Sequence, residues 1–365
     1  MKILFISEYS PLPKYNNGTS IRIFSFLEQL KRKNVDYIFY TLQNNKTKEL
    51  DCLFNVKYIS DQKSFFSLNK YNNKGFVSEI DFIISSYNPS HIIIEGMTFA
   101  VIPKKYYPIT IVNVVDCLSL VMFKKLKTEY FVNLKTIIKL INYIYIERYI
   151  LSNYCNLVVV SNQDAKFLSK TTKSRINIIP NGYDESIFDK GKMKIIPTLF
   201  FLGNFSGYMN IESVNYILKN ISDKAFIKFG FNTVLAGKNI PKDLIESFKE
   251  KNHIKFSPNV DSLNEIYNKF KIFICAIEYG TGIKNSILNA IAANNLIICS
   301  KTIAFEHKLT DNHNCLIYED RSKIIKLIED NLTFIKTIKI DNKDLLKHFS
   351  WSENVNTTIN LIERE

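Results

Sequence analysis

The chain has 365 residues, and 48 Lys plus Arg against 35 Asp plus Glu give it a formal net charge of +13. Its length predicts two domains, while 46% hydrophobic and 23% charged residues exclude the disordered, collagen-like and disulfide-scaffold classes. Only six basic residues are Arg, on which base reading in DNA relies heavily, so two explanations of the Lys surplus stay open: drift in composition, or a partner such as an anionic bilayer surface or a phosphate-bearing ligand.

Five short runs in the first half are rich in Val and Ile and lack strict polar alternation, as is typical of parallel strands covered on both faces. The first run is better interpreted as a strand than as the core of a signal peptide. Helical patterns lie between the runs, for example at 21–34, and this alternation predicts βαβ units and a parallel sheet. The predicted strands are residues 2–7, 35–42, 91–96, 109–116 and 156–161.

The second half repeats this pattern, so the sequence predicts two α/β halves of similar size. Pro180, Gly182 and Gly191 interrupt the periodicity within 176–197, where we place the linker. Residues 344–365 are predicted to be helical and contain the only Trp. The predicted strands are residues 198–204, 232–238, 254–259, 271–277 and 296–301, and helices are predicted at 240–252, 263–270 and 284–295.

The cysteines and histidines follow no metal or redox pattern. Six cysteines show no CxxC spacing, and five histidines fall in no HExxH or HxxxH pattern, so we expect no metal. Several cysteines lie in apolar runs, which predicts core residues of a reduced, cytosolic protein. No uncharged stretch approaches the roughly 18 residues that a spanning helix needs, and a soluble or peripheral protein is expected.

Glycine is sparse, with 11 residues in the chain, and most of it follows predicted strands. Ligands of a doubly wound sheet bind at the carboxyl ends of the strands. The glycines in such positions are Gly18, Gly203, Gly207, Gly237, Gly280 and Gly282.

The run EYGTGIKN at 278–285 is the most specific of these loops. It opens a predicted helix, whose N-terminal amides and dipole suit a phosphate, and Lys284 adds a full positive charge. A plain βα turn with a solvated Lys284 is the alternative. The chain contains no GxGxxG and no GxxxxGK[ST] motif, so dehydrogenase and NTPase interpretations lose their main support.

Residues 260–300, which include GTGIKN, resemble the nucleotide-sugar-binding segment of family 4 retaining glycosyltransferases, especially the bacterial polysaccharide branch with a GxGIKN loop. Supporting pieces follow in the family's order, and the resemblance covers nearly the whole chain. These pieces are the Gly18 loop, NVVDCLS at 113–119, the segment at 147–168, IIPNGYDESIF at 178–188, FLGNFSGYMN at 201–210 and FSWSENV at 349–355.

The resemblance implies the GT-B architecture, an α/β class in which two Rossmann-like domains face each other across a cleft and the last helix crosses back to the first domain. It implies an acceptor-side domain at 1–185, a nucleotide-sugar-binding domain at 186–345 and a crossover helix at 346–365. The implied activity is retaining, metal-independent transfer, of the hexosyltransferase type, from a nucleotide diphosphate sugar. A UDP-sugar is expected first and a GDP-sugar second, with no cofactor and no nucleic-acid partner.

The implied acceptor is a glycan or a lipid-linked molecule in surface polysaccharide synthesis, in the cytoplasm or on the inner face of the membrane. Loops at 64–75 and 117–127 mix aromatics and lysines, as a lipid diphosphate would require. The predicted helix at 131–151 is apolar with spaced Lys and Arg, which suits an anionic membrane surface. Packing between the domains is the favoured alternative for this helix.

This chain departs from the family at two carboxylates. The family carries two Glu separated by seven residues, where Thr281 and Asn289 stand here. Asn289 still offers hydrogen bonds to a ribose. The loop at 201–210 has no basic residue for the diphosphate, which leaves Lys284, helped by Lys238, to stabilise the leaving group.

Two other hypotheses follow from this departure. Thr281 and Asn289 favour a non-catalytic GT-B partner or regulator of an active transferase, whereas the retained GTGIKN run argues against it. An epimerase or hydrolase on the same fold would need acid and base groups, and few His or Glu residues fall at strand ends.

The resemblance implies catalytic roles for Lys284, at the diphosphate, and Asp116, which with Ser119 nearby would orient the acceptor hydroxyl or the donor sugar. The alternative for Asp116 is a turn-forming Asp, and the alternative for Asn285 is a helix cap. For Glu147, a helix-surface or cap-supporting carboxylate is the favoured interpretation. The turn at 257–261 resembles the loop that recognises the nucleobase, with a simple turn as its alternative. The expected substrate-binding residues are Gly18, Thr19, Gly203, Asn204, Lys238, Asn259, Val260, Thr281, Gly282, Ile283, Asn285 and Asn289.

Overall fold

A computed structural model describes residues 1–14, 17–62, 71–128, 134–187, 195–258, 260, 262–278 and 282–363. The chain divides into two compact units. Unit 1 is Met1–Asn181 together with Trp351–Glu365, and unit 2 is Gly182–Ser350. The predicted boundaries, after residues 185 and 345, lie a few residues from these.

Unit 1 contains a seven-stranded sheet. Its strands are β1 (Lys2–Ser7), β2 (Asp36–Leu42), β3 (Val56–Ile59), β4 (His91–Glu95), β5 (Thr110–Val115), β6 (Asn156–Val159) and β7 (Arg175–Ile178). The spatial order is β3-β2-β1-β4-β5-β6-β7, and neighbouring strands are parallel. The order reverses direction between β1 and β4, which makes this point the topological switch of a doubly wound sheet.

Both faces of this sheet are covered. Ile3 and Phe5 of β1 belong to one buried apolar cluster, and Leu4 and Ile6 belong to another. Successive side chains of a strand point to opposite faces, so two covered faces require an apolar run without alternation, as the sequence has. The helices of this unit are α1 (Gly18–Arg32), α2 (Lys48–Leu53), α3 (Lys74–Tyr87), α4 (Leu118–Thr128), α5 (Leu134–Tyr145), followed by a π-helical turn at Ile146–Ile150, and α6 (Asn162–Leu168).

Unit 2 contains a six-stranded parallel sheet in the order β10-β9-β8-β11-β12-β13. Its strands are β8 (Ile195–Asn204), β9 (Asn232–Lys238), β10 (Ile254–Pro258), β11 (Phe270–Ile274), β12 (Leu296–Ser300) and β13 (Cys315–Tyr318). Its helices are α7 (Tyr208–Tyr216), joined by a π-helical turn at Ile217–Ser222 to α8 (Asp223–Phe229), α9 (Lys242–Phe248), α10 (Leu263–Lys269), α11 (Asn285–Ala292), α12 (Lys301–Glu306), α13 (Ile324–Asp330), α14 (Leu332–Thr337) and α15 (Lys343–Leu346).

The last helix, α16 (Trp351–Glu363), belongs to unit 1. Its side chains Val355 and Ile362 are buried in the same cluster as Ile3 and Phe5 of β1. Asn354 Nδ2 also donates a hydrogen bond to the carbonyl oxygen of Pro180, at 2.8 Å. The end of the chain therefore completes the core that its first strand begins.

Three strands in the structure were not predicted from the sequence. These are β3, β7 and β13, each of four residues and each at an edge of its sheet. Residues 176–178 of β7 were assigned to the linker. In β3 and β7, polar residues interrupt the apolar run that marks a central strand. Strand β13 is apolar and mostly buried, so its edge position does not explain why it was missed.

Candidate functional site

Two glycines bring β8 and β9 together at their carboxyl ends. Gly203 and Gly237 are partners in the parallel register. Gly237 has φ +138°, and a Cβ built on it would lie 1.8 Å from the carbonyl oxygen of Gly203. Only glycine fits position 237, because any side chain would overlap the neighbouring backbone.

Asn204 holds the loop that follows β8. Its Oδ1 accepts hydrogen bonds from Ser206 N at 3.0 Å, from Ser206 Oγ at 2.8 Å and from Asn239 Nδ2 at 2.9 Å. Phe205 N donates to the carbonyl oxygen of Lys238 at 2.9 Å, and the Lys238 side chain is exposed. The loops after β8 and β9 are therefore tied to each other, and the Asn204 side chain takes part in that connection.

Lys284 lies at the N-terminus of α11. It is the N-cap residue, with its carbonyl oxygen accepting hydrogen bonds from Ile287 N and Leu288 N. Gly282, two residues earlier, has φ +73°. The alternative of Asn285 as the cap is not what the structure shows, since Asn285 is the first residue of the helix.

His307, which the sequence analysis missed, contacts the backbone of Lys284. Lys284 N donates to His307 Nε2 at 3.0 Å, and His307 Nδ1 lies 2.8 Å from the carbonyl oxygen of Ile303. The imidazole is fully buried, and this burial, aided by the Lys284 charge, lowers the pKa of His307 to about 4. A neutral imidazole therefore fixes the backbone from which the Lys284 side chain extends.

Asn289, on α11, contacts the segment that links the two units. Its Oδ1 accepts a hydrogen bond from Asp184 N at 3.2 Å, and its side chain also hydrogen-bonds the buried Tyr267 hydroxyl. The residue is only 8% exposed. A ribose contact at Asn289 remains a prediction, and the structure adds that this amide already has protein partners.

Of the remaining predicted residues of unit 2, the structure describes Val260 and Ile283. Asn259 and Thr281 fall outside the described residues, as does Gly280. Val260 is half-buried, whereas Ile283 is buried at the start of α11.

Asp116 directly follows β5 in unit 1 and is half-buried. The preceding residue, Val115, has φ +67°, which is a genuine outlier for a β-branched side chain. The register between β5 and β6 also shifts at Val115. Backbone strain of this kind clusters at functional sites, which supports Asp116 as a site residue without assigning its role.

Glu147 is buried, so the expectation of a helix-surface carboxylate is wrong. The carboxylate accepts hydrogen bonds from Ser119 N at 3.0 Å and from the Ser119 hydroxyl. Burial raises the pKa of Glu147, while the Ser119 hydrogen bonds oppose this shift. The structure agrees with the cap-supporting interpretation, since Ser119 lies in the first turn of α4 and its own side chain is buried against Glu147.

Gly18 and Thr19 form the first turn of α1. Asn17 caps this helix by accepting a hydrogen bond from Ser20 N at 2.9 Å. Gly18 is exposed and Thr19 is half-buried. The N-terminus of α1 is therefore accessible at the carboxyl edge of the first sheet, where Gly18 and Thr19 were predicted to bind substrate.

Two charged groups at strand ends were also missed. Glu278 precedes the glycines of the loop, and its Oε2 lies 3.4 Å from Nε of Arg321. The Nη1 atom of the same guanidinium pairs with Glu212. Glu95 ends β4 and pairs with Arg22 at 2.9 Å, with both side chains buried. The position of Glu278 as the first residue of EYGTGIKN was a signal that could have identified it.

The described ranges contain neither a candidate metal cluster nor a membrane-spanning helix. That part of the chain brings together no three His, Cys, Asp or Glu side chains that could hold a metal ion. Its helices include none that combines the length and the apolarity needed to cross a bilayer.

Comparison with known proteins adds both a sequence and a structural match. Residues 196–333 match the family model of group 1 glycosyl transferases, and no curated protein matches the chain. Sucrose-phosphate synthase from Thermosynechococcus elongatus has a TM-score of 0.73 at 14% identity, covering 100% of this chain and 99% of that one. A glycosyltransferase from Rickettsia africae has a TM-score of 0.69 at 14% identity, with 100% and 98% covered. Anabaena HepE in complex with UDP has a TM-score of 0.68 at 12% identity, with 100% of each chain covered.

The chain has the GT-B fold. At these identities the structural likeness establishes the fold alone, and the predicted α/β class with two parallel sheets is confirmed. The match to group 1 glycosyl transferases covers residues 196–333, so the family of the whole chain stays a prediction. Membership of the GxGIKN branch stays a prediction.

Proposed function

We propose that the protein is a retaining, metal-independent glycosyltransferase that transfers a sugar from a nucleotide diphosphate sugar to a glycan or lipid-linked acceptor. The observation that carries the proposal is the position of Lys284. It stands at the N-terminus of α11, two residues after a glycine in a left-handed conformation, within the segment that matches group 1 glycosyl transferases. A helix N-terminus with a cation at its N-cap suits a diphosphate.

The reaction requires this charge arrangement. When the bond between the anomeric carbon and the phosphate oxygen breaks, negative charge grows on the diphosphate, and preorganised donors stabilise it. Because the Lys284 amide donates to His307, we assign the contribution of Lys284 to its side-chain ammonium, with the Gly282 and Ile283 amides beside it. Asp116 would orient the acceptor hydroxyl or the donor sugar.

We rank a UDP-sugar first and a GDP-sugar second as donor. HepE, at 11–12% identity, has been solved with UDP, with UDP and glucose, and with UDP-glucose. For the acceptor, two similar structures are WaaG, described as involved in lipopolysaccharide biosynthesis, and the lipopolysaccharide outer core galactosyltransferase WaaB. These relatives support a role in surface polysaccharide synthesis. We propose in addition that the protein acts in the cytoplasm, at the inner face of the membrane.

A second candidate is a non-catalytic GT-B partner of an active transferase. The observation that favours it is the pair Thr281 and Asn289, where the family carries carboxylates. Asn289 also uses its side chain on Asp184 and Tyr267. Such a protein would show no turnover with any nucleotide sugar, even where a nucleotide binds.

A thermal-shift screen against UDP, GDP, CMP and ADP tests the donor site. A nucleotide at 100 times its dissociation constant adds about 2.7 kcal/mol to the free energy of unfolding, so a binder raises Tm. No response to any of the four would contradict the proposal.

Lys284→Ala tests the chemistry. We expect the variant to fold and to lose turnover by about 100- to 1,000-fold, the range measured for removal of one comparable donor. Lys326→Ala is the matched control, because Lys326 is an exposed Lys on α13 of the same unit. Wild-type kinetics of Lys284→Ala in an active preparation would exclude the assignment.

A further inference from the structure

One helix of unit 1 leaves a row of large apolar side chains in solvent. Leu134, Ile138 and Ile141 of α5 are 70%, 55% and 54% exposed, and the row continues through Ile144 to Tyr149. We call Leu134, Ile138, Ile141, Ile144 and Tyr149 the apolar face of α5. Soluble proteins rarely expose contiguous apolar patches of this kind unless the patch binds a protein or a membrane.

The charges around this face are positive. Lys135 and Lys139 of α5 are exposed, and the helix contains no Asp or Glu. Over the whole sequence, unit 1 carries 25 Lys plus Arg against 16 Asp plus Glu, whereas unit 2 carries 23 against 19. The larger part of the positive charge therefore lies in the unit that presents the apolar face.

We propose that the apolar face of α5 binds the surface of a bilayer that contains anionic lipid. An interfacial helix places apolar side chains at the headgroup boundary and Lys beside them, where anionic lipids attract the charge. With 12 residues, the helix is too short to span a bilayer, and its apolar face with Lys beside it suits a position in the surface plane. The inference deepens the proposed function by naming the surface that binds the membrane, and it rests on the proposed location there but not on Lys284.

Co-sedimentation of the full chain with vesicles tests the surface. We expect binding to vesicles of phosphatidylcholine mixed with phosphatidylglycerol, weaker binding to phosphatidylcholine alone, and release at high salt. The double variant Ile138→Gln, Ile141→Gln should lose binding by roughly 10-fold or more. Both side chains are exposed, so circular dichroism and Tm should be unchanged.

The matched control is Phe82→Gln with Ile227→Gln. These side chains are 71% and 80% exposed and lie on α3 and α8. Three results would overturn the proposal: no binding to the anionic vesicles at low salt, an equal loss in the control, or a dimer in sedimentation velocity that only the α5 variant dissociates. The last would identify a second copy of the chain as the occupant.

An independent inference concerns His307. The carbonyl oxygen of Ile303 can only accept a hydrogen bond, so its contact with His307 Nδ1 at 2.8 Å puts the proton on Nδ1. The lone pair of Nε2 then faces Lys284 N–H at 3.0 Å. The side chain thereby joins α12 to the residue that begins α11.

We infer that His307 is a positioning residue that holds Lys284 at the N-cap of α11. The inference rests on the proposed function, because it concerns the residue assigned to the diphosphate. Protonation would place an N–H opposite the Lys284 N–H and remove the hydrogen bond. Lys284 is the charged side chain that acts on the imidazole, with Ile303 and Lys284 supplying its backbone contacts.

Two substitutions of His307 distinguish a role in positioning Lys284 from a role in filling the buried space. His307→Gln retains an oxygen that can accept from Lys284 N, whereas His307→Leu retains volume without an acceptor. We expect His307→Leu to lower kcat by roughly 10- to 100-fold, as displacement by about 1 Å does, and His307→Gln to restore most of it. Equal kcat for wild-type and a folded His307→Leu would overturn the inference.

A measurement that does not require turnover distinguishes failure of the His307 inference from failure of the proposed function. The ring ¹⁵N shifts of labelled histidine, assigned by the resonance lost in His307→Gln, should show the Nδ1–H tautomer and no protonation until the pH nears about 4. A protonated ring or the Nε2–H tautomer at pH 7 would overturn the inference. The expected tautomer together with unchanged kinetics of Lys284→Ala would instead refute the proposed function.

Discussion

At the scale of single residues, the neighbouring backbone of Gly203 restricts position 237 to glycine. We expect Gly237→Ala to lower the free energy of unfolding by about 3–5 kcal/mol, because its Cβ would overlap the Gly203 carbonyl and β8 and β9 would have to separate. Urea unfolding of the purified variant measures the loss.

Gly230→Ala is the matched control for this prediction. Gly230 also has a positive φ, of +70°, but a Cβ there has nothing within 4 Å. The substitution should therefore cost only the backbone strain of a left-handed residue, about 1–2 kcal/mol. Equal losses for the two variants would show that strain, and not the close approach of the strands, restricts position 237.

The sequence could locate Lys284 and Gly282 because their signals are local. A glycine after a strand and a cation before a helix are adjacent in the chain, and the structure has them there. His307 could not be found in this way, since its contact with Lys284 joins residues 23 positions apart and exists only once α12 packs beside α11. The protein partners of Asn289 were hidden for the same reason.

At the scale of elements, α4 depends on a carboxylate from a neighbouring helical segment. Glu147→Ala should lower the free energy of unfolding by about 2–4 kcal/mol, because Ser119 N and the Ser119 hydroxyl would lose their buried acceptor. Glu147→Gln should lose less, since an amide oxygen can still accept. Denaturant unfolding compares the two.

Glu28→Ala serves as the control for that comparison. Glu28 forms an exposed pair with Arg32 one turn along α1, and such pairs contribute about 0.5 kcal/mol or less. A similar loss at Glu28 and Glu147 would mean that the Ser119 hydrogen bonds do not stabilise α4.

Sequence patterns predicted central elements better than edges. The predicted central strands β1, β4, β8 and β11 are apolar runs because both of their faces are covered, whereas β3 and β7 border their sheet and carry little of that signal. The predicted helix at 131–151 illustrates a second limit. Its apolar residues left two partners open, an anionic membrane surface and, as the favoured alternative, packing between the domains. The exposure of Leu134, Ile138 and Ile141 shows that the periodicity of a helix indicates which residues are apolar but not what covers them.

At the scale of the molecule, the GT-B fold could be predicted because several short motifs follow one another in the family's order. No single motif carried that prediction, and the match to group 1 glycosyl transferases covers residues 196–333 alone. Function is less determined than fold, since one fold supports many activities. The donor, the acceptor and the membrane therefore depend on the experiments proposed above.

The return of α16 to unit 1 has a consequence for synthesis on the ribosome. Domains tend to fold as units in the order in which they emerge, with the N-terminal domain first. Here the core around Ile3 and Phe5 also contains Val355 and Ile362, which are translated after all of unit 2. The unit that starts the chain is thus the later of the two to be completed, and until then its nascent form exposes the apolar surface that α16 will cover.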